Sequence, residues 1–70
     1  MNNDEVTRVQ TYLRGLFNNE TMMLKRSVRD DMVEVLLNDE FIATITRDDD
    51  EGEVSYNFSM AILDFDLPEV

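Results

Sequence analysis

Residues 54–62 alternate between two kinds of side chain, and this pattern constrains the fold more than any other. Residues 55, 57 and 59 are polar, whereas every even position is apolar: Val54, Tyr56, Phe58, Met60 and Ile62. A period of two is typical of a β-strand with one buried and one solvent-facing side. The run exceeds the usual strand length of about 5–6 residues. We therefore predict one long strand in a sheet with one wet face.

The apolar frame shifts after Ile62, where Leu63, Phe65 and Leu67 become the apolar set. A β-bulge produces such a change of frame within one strand. Asp64 and Asp66 then project from the same face. Pro68 ends the pattern, so the predicted strand stops there.

The opening residues predict an amphipathic helix over residues 3–17. Its apolar stripe consists of Val6, Val9, Leu13, Leu16 and Phe17. Asn2 and Glu5 have the spacing of a capping box, and Asn3 is an equally good N-cap. Gly15 is interpreted as a point of close packing on the sheet. Asn18 suits a left-handed helix end.

Three further segments predict strands. Residues 22–28 form a weak edge strand, and residues 32–37 and 40–46 flank a turn at Asn38 and Asp39. A two-residue turn pairs Leu36 with Phe41 and leaves apolar side chains on both faces. A three-residue turn with a bulge would collect them on one face, so the register stays open. The order predicts an α+β domain, with the helix packed on an antiparallel meander of three or four strands.

The residue types that are absent exclude several chemistries. The chain has no histidine and no cysteine, so it lacks the usual neutral-pH acid–base group, disulfides and cysteine metal sites. Two glycines cannot build a nucleotide-binding loop. We therefore expect no enzyme activity and no cofactor. Residues 1–70 suit a single domain, with no signal peptide and no apolar run that could cross a membrane, which predicts a cytoplasmic protein.

Charge is unevenly distributed along the chain, whose net charge is −10. Residues 1–29 hold five basic and three acidic side chains, a net charge of +2, whereas residues 30–70 hold one and thirteen, a net charge of −12. Either the two parts lie side by side and attenuate each other, or an acidic face repels nucleic acid and attracts a basic partner. The second reading gives one alternative function, an acidic decoy for a nucleic-acid-binding protein.

The acidic turn at residues 47–53 is the densest set of oxygen ligands. Asp48, Asp50 and Glu53 form the candidate cation site. The EF-hand pattern fails in both frames. Starting at Asp48, Gly52 falls at position five instead of six and the twelfth position is Ser59, whereas starting one residue earlier makes Arg47 the first ligand. A solvated turn is the expected state, with weak divalent-cation binding as a further alternative.

Apolar side chains supply the candidates for a protein interface. Phe17 and Phe58 are expected in the core, whereas Tyr56 keeps its hydroxyl at the rim. Met23 faces away from its apolar neighbours on the weak strand. One helix covers one face only, so apolar residues on a second face need a partner. The interaction candidates are Met23, Leu36, Phe41 and Tyr56.

Three motifs resemble a family of small, uncharacterised alphaproteobacterial proteins that share a domain of unknown function. They are DEFI at residues 39–42, RDDDEGE at residues 47–53 and SYNFSMAILDFDL at residues 55–67. The resemblance covers nearly the whole chain and implies no activity, ligand or site residue. The missing catalytic residue types and the excess of apolar strand faces, rather than the resemblance, lead us to expect a small interaction domain or subunit. It is either a homodimer or docked on an unknown protein, without a nucleic acid or membrane partner.

Overall fold

The computed structural model describes residues 1–69 and begins with helix α1, Asn3–Leu16. The predicted capping box is present. The Asn2 side chain accepts a hydrogen bond from the Glu5 N–H at 2.8 Å, and Glu5 Oε1 accepts one from the Asn2 N–H at 3.1 Å. These bonds satisfy two of the donors that a helix start leaves free. Asn18 has a φ of 52°, so the left-handed residue after the helix is confirmed.

Four antiparallel strands follow in the order β1-β2-β3-β4, each beside its neighbour in sequence. The predicted α+β class and meander are thus confirmed. β1 is an edge strand, as expected, but it stops before Val28, which is fully exposed. The strands are β1 Met22–Arg26, β2 Met32–Leu37, β3 Glu40–Asp48 and β4 Ser55–Ser59.

The hairpin between β2 and β3 combines features of both predicted registers. Asn38 and Asp39 have φ values of 51° and 65°, and Leu36 pairs with Phe41, as in a two-residue turn. The next pair is Val35 with Ala43, so a bulge within β3 shifts the register by one residue. Because of the bulge, Val33 and Val35 of β2 share one face with Ala43 and Ile45 of β3, whereas Leu36 and Phe41 lie on the other face.

The core lies between α1 and that face of the sheet. Six apolar side chains are buried there: Leu13, Met22, Val33, Val35, Ala43 and Ile45. Val33, Val35 and Ile45 are each 1% exposed or less. The helix contributes one fully buried side chain, so the sheet supplies most of the core.

The last strand is shorter than predicted. β4 ends at Ser59, which pairs with Thr44, two residues from the bulge at Ile42 of β3. A bulge bends its strand and interrupts the ladder, so β4 loses its partner at that point. Residues 64–66 form a 3₁₀ turn, so the predicted strand through Leu67, its bulge after Ile62 and its paired carboxylates were wrong.

Helix α1 is tied to the edge of the sheet formed by β1. Gln10 Oε1 accepts a hydrogen bond from the Leu24 N–H at 3.0 Å, and Arg14 Nε donates to the Met22 carbonyl at 2.8 Å. These bonds occupy backbone groups of β1, which protects that edge. No heavy atom lies within 4 Å of a Cβ added at Gly15, so the predicted close packing there was wrong. The helix therefore covers the β1 side and leaves the helix-facing side of β3 and β4 less covered.

Candidate interaction site

An open apolar groove runs between α1 and β4, and we call it the helix–sheet groove. Its volume is about 540 Å³. The buried Ile45 forms part of its floor. It exists because the helix is fixed over β1, which β2 and β3 separate from β4. Its apolar walls are formed by Val9, Tyr12, Leu16, Phe17, Tyr56 and Phe58.

Phe17 and Phe58 form an aromatic pair at one open end of the helix–sheet groove. Their ring centroids are 6.1 Å apart, within the range of favourable aromatic pairs. Phe17 is 51% exposed and Phe58 is 38% exposed. The expectation that both belong to the core was therefore wrong. The offset of the helix toward β1 places them at the mouth of the groove instead.

A polar cluster around Glu5 forms the other end of the groove. Glu5 Oε2 accepts a hydrogen bond from the Tyr56 hydroxyl at 2.6 Å and another from Arg47 Nε at 2.7 Å. Arg47 also pairs with Asp49 at 3.1 Å. The cluster thus joins the first turn of α1 to β3 and β4.

The hydrogen bonds of this cluster favour the ionised form of Glu5. The Tyr56 hydroxyl, the backbone N–H of Asn2 and the Arg47 guanidinium together lower the pKa of Glu5 from 4.5 to about 2. The same bond to Glu5 raises the pKa of Tyr56 above its ordinary value of 10.0, with burial acting in the same direction. It also raises the pKa of Arg47. The cluster keeps Glu5 and Arg47 charged and Tyr56 neutral, so it is suited to holding the start of the helix on the sheet.

Three of the four predicted interaction residues lie in one row across the sheet. Met23 pairs with Leu36, and Leu36 pairs with Phe41. Paired residues share a face, and this face is opposite the helix because their chain neighbours Met22 and Val35 are buried in the core. Met23 and Phe41 are about half exposed. Tyr56 is not part of this row, since it faces the helix and bonds to Glu5.

Residues 60–67 leave the sheet after β4, and we call them the C-terminal segment. A cleft of about 1010 Å³ separates this segment from residues 40–44 of β3. Phe65 is 82% exposed and Ile62 is 66% exposed. Three further apolar side chains of the segment are about half exposed: Met60, Leu63 and Leu67. The segment thus exposes five large apolar side chains within eight residues.

The acidic turn has an ordered backbone. The Asp48 side chain accepts a hydrogen bond from the Asp50 N–H at 3.0 Å, and the next two residues have positive φ. Asp48, Asp50 and Glu53 line one shallow depression. Among residues 1–69, no group of three acidic side chains is placed to hold a metal ion.

The sequence reasoning missed the helix–sheet groove. A signal was present, because Leu16 and Phe17 extend the helix stripe beyond Leu13. A stripe of that length is wider than one five-residue edge strand can cover. The missing information was the lateral position of the helix, which depends on the bonds of Gln10 and Arg14 to β1.

Comparisons with known proteins identify a family but no function. Residues 5–66 match the family described as protein of unknown function (DUF3126), so the resemblance to a family of unknown function is confirmed. Neither a curated protein nor a solved structure matches the chain. Within residues 1–69, no helix has the length and apolar character needed to span a membrane.

Proposed function

We propose that this chain, which belongs to the DUF3126 family, is a non-enzymatic protein–protein interaction module. The observation that carries the proposal is an excess of exposed apolar side chains. Within residues 1–69, thirteen large apolar residues are exposed, whereas the core holds six buried ones. Single exposed apolar residues are ordinary, but contiguous sets mark interaction surfaces.

The helix–sheet groove is the best-formed of these surfaces. It is concave, its walls are mainly apolar, and it contains two aromatic residues, Phe17 and Phe58, at one end. Aromatic side chains at the centre of a contact area supply much of the binding energy in protein complexes. The Glu5 cluster at the other end fixes the helix relative to β3 and β4, so the groove is preformed.

A capture experiment with matched variants tests this function. The full chain is immobilised and exposed to an extract of its native cell or to a second preparation of itself. Phe17→Ser removes an aromatic wall of the groove, and Val28→Ser removes a fully exposed apolar residue that does not line it. We expect the first variant to lose the specifically captured protein and the second to retain it. Circular dichroism checks that both variants are folded.

Two results would refute the proposal. One is that the wild-type chain captures neither a second copy of itself nor any other protein above background. The other is a captured protein that Phe17→Ser and Val28→Ser retain equally, because the groove would then have no part in binding.

The acidic decoy stays a prediction with less support. Five of the acidic residues lie together in residues 48–53, and Asp49 is already paired with Arg47. A decoy should instead space its carboxylates along an extended ridge, as phosphates are spaced in nucleic acid. Binding to basic proteins that persists at physiological ionic strength would favour the decoy, because nonspecific attraction is screened there.

A further inference from the structure

We infer that the partner is a second copy of this chain, and that two copies exchange their C-terminal segments. Residues 60–67 of each copy occupy the helix–sheet groove of the other. This inference rests on the proposed function, since it names the protein that the groove binds. It uses two features that the isolated chain leaves unsatisfied, an open apolar groove and an exposed apolar segment.

The direction of β4 explains why the segment does not fill its own groove. β4 runs along the groove from Tyr56, beside Glu5, to Phe58, beside Phe17. The C-terminal segment therefore leaves at the Phe17 end and continues beside the start of β3. To enter its own groove, the chain would have to reverse direction directly after Ser59.

A two-fold axis near the Phe17 end lets each segment enter a groove without reversing direction, because the groove belongs to the other copy. It places the second copy beyond that end and turns its C-terminal segment back along the groove of the first. The same operation inserts the first segment into the second groove, so both sites are filled by one closed arrangement. No open groove or free segment is left to extend a chain of copies.

The arrangement brings an acidic residue of the segment, Asp64, opposite a basic residue of the groove, Arg8. Arg8 lies on α1 nine residues before Phe17, about 13 Å along a helix that rises 1.5 Å per residue. An extended segment covers that distance in about four residues. A segment that passes Phe17 at residue 60 or 61 therefore brings Asp64 to Arg8.

Arg8 is available for this contact. It lines the helix–sheet groove, and its side chain is 77% exposed. Its ion pair with Asp4 spans 3.9 Å between two highly exposed side chains, and such pairs contribute little. Since the chain carries a net charge of −10, association of two copies requires local pairing of this kind.

The exposed area is sufficient for a stable dimer. The five apolar side chains of the segment together expose the equivalent of three complete side chains. At about 150 Å² per large side chain, that is at most roughly 450 Å² per segment. The exposed apolar residues of the groove wall add the equivalent of two more side chains, about 300 Å². Two exchanged segments then bury up to about 1,500 Å², within the range of specific interfaces.

Sedimentation equilibrium of the full chain tests the arrangement. We expect the wild type to dimerise and Phe65→Ser to weaken the dimer by about a hundredfold or more, because two buried aromatic side chains are lost. Phe65 is 82% exposed in the single chain, so the variant keeps its fold. Val28→Ser is the control that leaves dimerisation unchanged.

Charge reversal tests the pairing of the segment with the groove. We expect Arg8→Glu to weaken the dimer by about tenfold, since two symmetric pairs are lost. Asp64→Lys should have the same effect, and the chain that carries both changes should recover. Asp64 is chosen because Asp66 already accepts a hydrogen bond from the Leu63 N–H. Failure of the double variant to recover would refute the pairing.

Cysteine cross-linking distinguishes exchange from folding back. The natural chain has no cysteine, so Tyr12→Cys and Leu63→Cys, which the same register places opposite each other, can be mixed as separate chains and oxidised. We expect a disulfide-linked heterodimer. A chain carrying both changes that cross-links only within itself would refute exchange and show that the segment fills its own groove.

The outcomes also separate this inference from the proposed function. A strictly monomeric wild type that still captures a different protein through Phe17 would refute the exchanged dimer and leave the interaction function standing. A wild type that neither associates nor captures any protein would refute both. A dimer that Phe65→Ser and Arg8→Glu leave intact would refute exchange while retaining self-association through another surface.

Discussion

The same substitution, Ile→Val, should destabilise the fold more in the core than in the C-terminal segment. Ile45→Val and Ile62→Val each remove one methylene group, but Ile45 is 1% exposed and Ile62 is 66% exposed. A buried Ile→Val change costs about 0.5–1.5 kcal/mol. At about 0.8 kcal/mol per buried methylene, the third of Ile62 that is covered corresponds to about 0.3 kcal/mol.

Thermal unfolding followed by circular dichroism measures the difference. For a domain of this size, 1 kcal/mol corresponds to a Tm change of about 4–8 °C. At the middle of its range, about 1 kcal/mol, Ile45→Val should lower Tm by about 4–8 °C, and Ile62→Val should lower it by about 1–2 °C. The comparison is made at low protein concentration, where self-association contributes least to stability.

The comparison tests whether β4 ends at Ser59. If β4 continued through Ile62 and packed on the sheet, both variants would lose similar stability at every protein concentration. That result would refute the end of β4 at Ser59 and the exposure of the C-terminal segment. If only Ile62→Val gained a larger effect at high concentration, the segment would be buried between molecules.

Three further predictions concern local structure. Because the pKa of Glu5 is lowered to about 2, its carboxylate stabilises the fold fully above its ordinary pKa of 4.5, and this contribution is lost as pH falls toward about 2. Urea unfolding across that range should show a smaller pH dependence in Glu5→Gln, and an unchanged dependence would contradict the cluster. Gly15→Ala should stabilise the chain by about 1 kcal/mol, because the added Cβ meets no atom within 4 Å; a lower Tm would indicate a hidden contact. Since Asp39 has a φ of 65°, Asp39→Gly should raise Tm and Asp39→Ala should lower it, with a spread of about 1 kcal/mol, and the reverse order would exclude this turn.

Elements governed by neighbouring residues were predictable from the sequence. The helix start depends on Asn2 and Glu5, three positions apart, and the tight turn depends on Asn38 and Asp39. In each case the side chain or backbone preference acts within a few residues, so the pattern is sufficient. The α+β class followed because these local elements leave few ways to cover one face of a meander.

Features governed by distant contacts were not predictable. Residues 54–62 have the pattern of a long strand, but the strand ends two residues from the bulge at Ile42, which bends its partner strand. The burial of Phe17 and Phe58 likewise depends on where the helix lies across the sheet. That position is set by bonds of Gln10 and Arg14 to the β1 backbone, which no periodicity encodes.

The Glu5 carboxylate has a consequence for the order in which the chain acquires its structure. One oxygen completes the helix cap, while the other awaits Tyr56, a residue synthesised 51 positions later. The later turns of the helix can bind β1 early, but its first turn cannot be fixed to the last strand until Tyr56 has been made. Amide hydrogens in its first turn and in the final strand should exchange with deuterium together, as members of one cooperative unit.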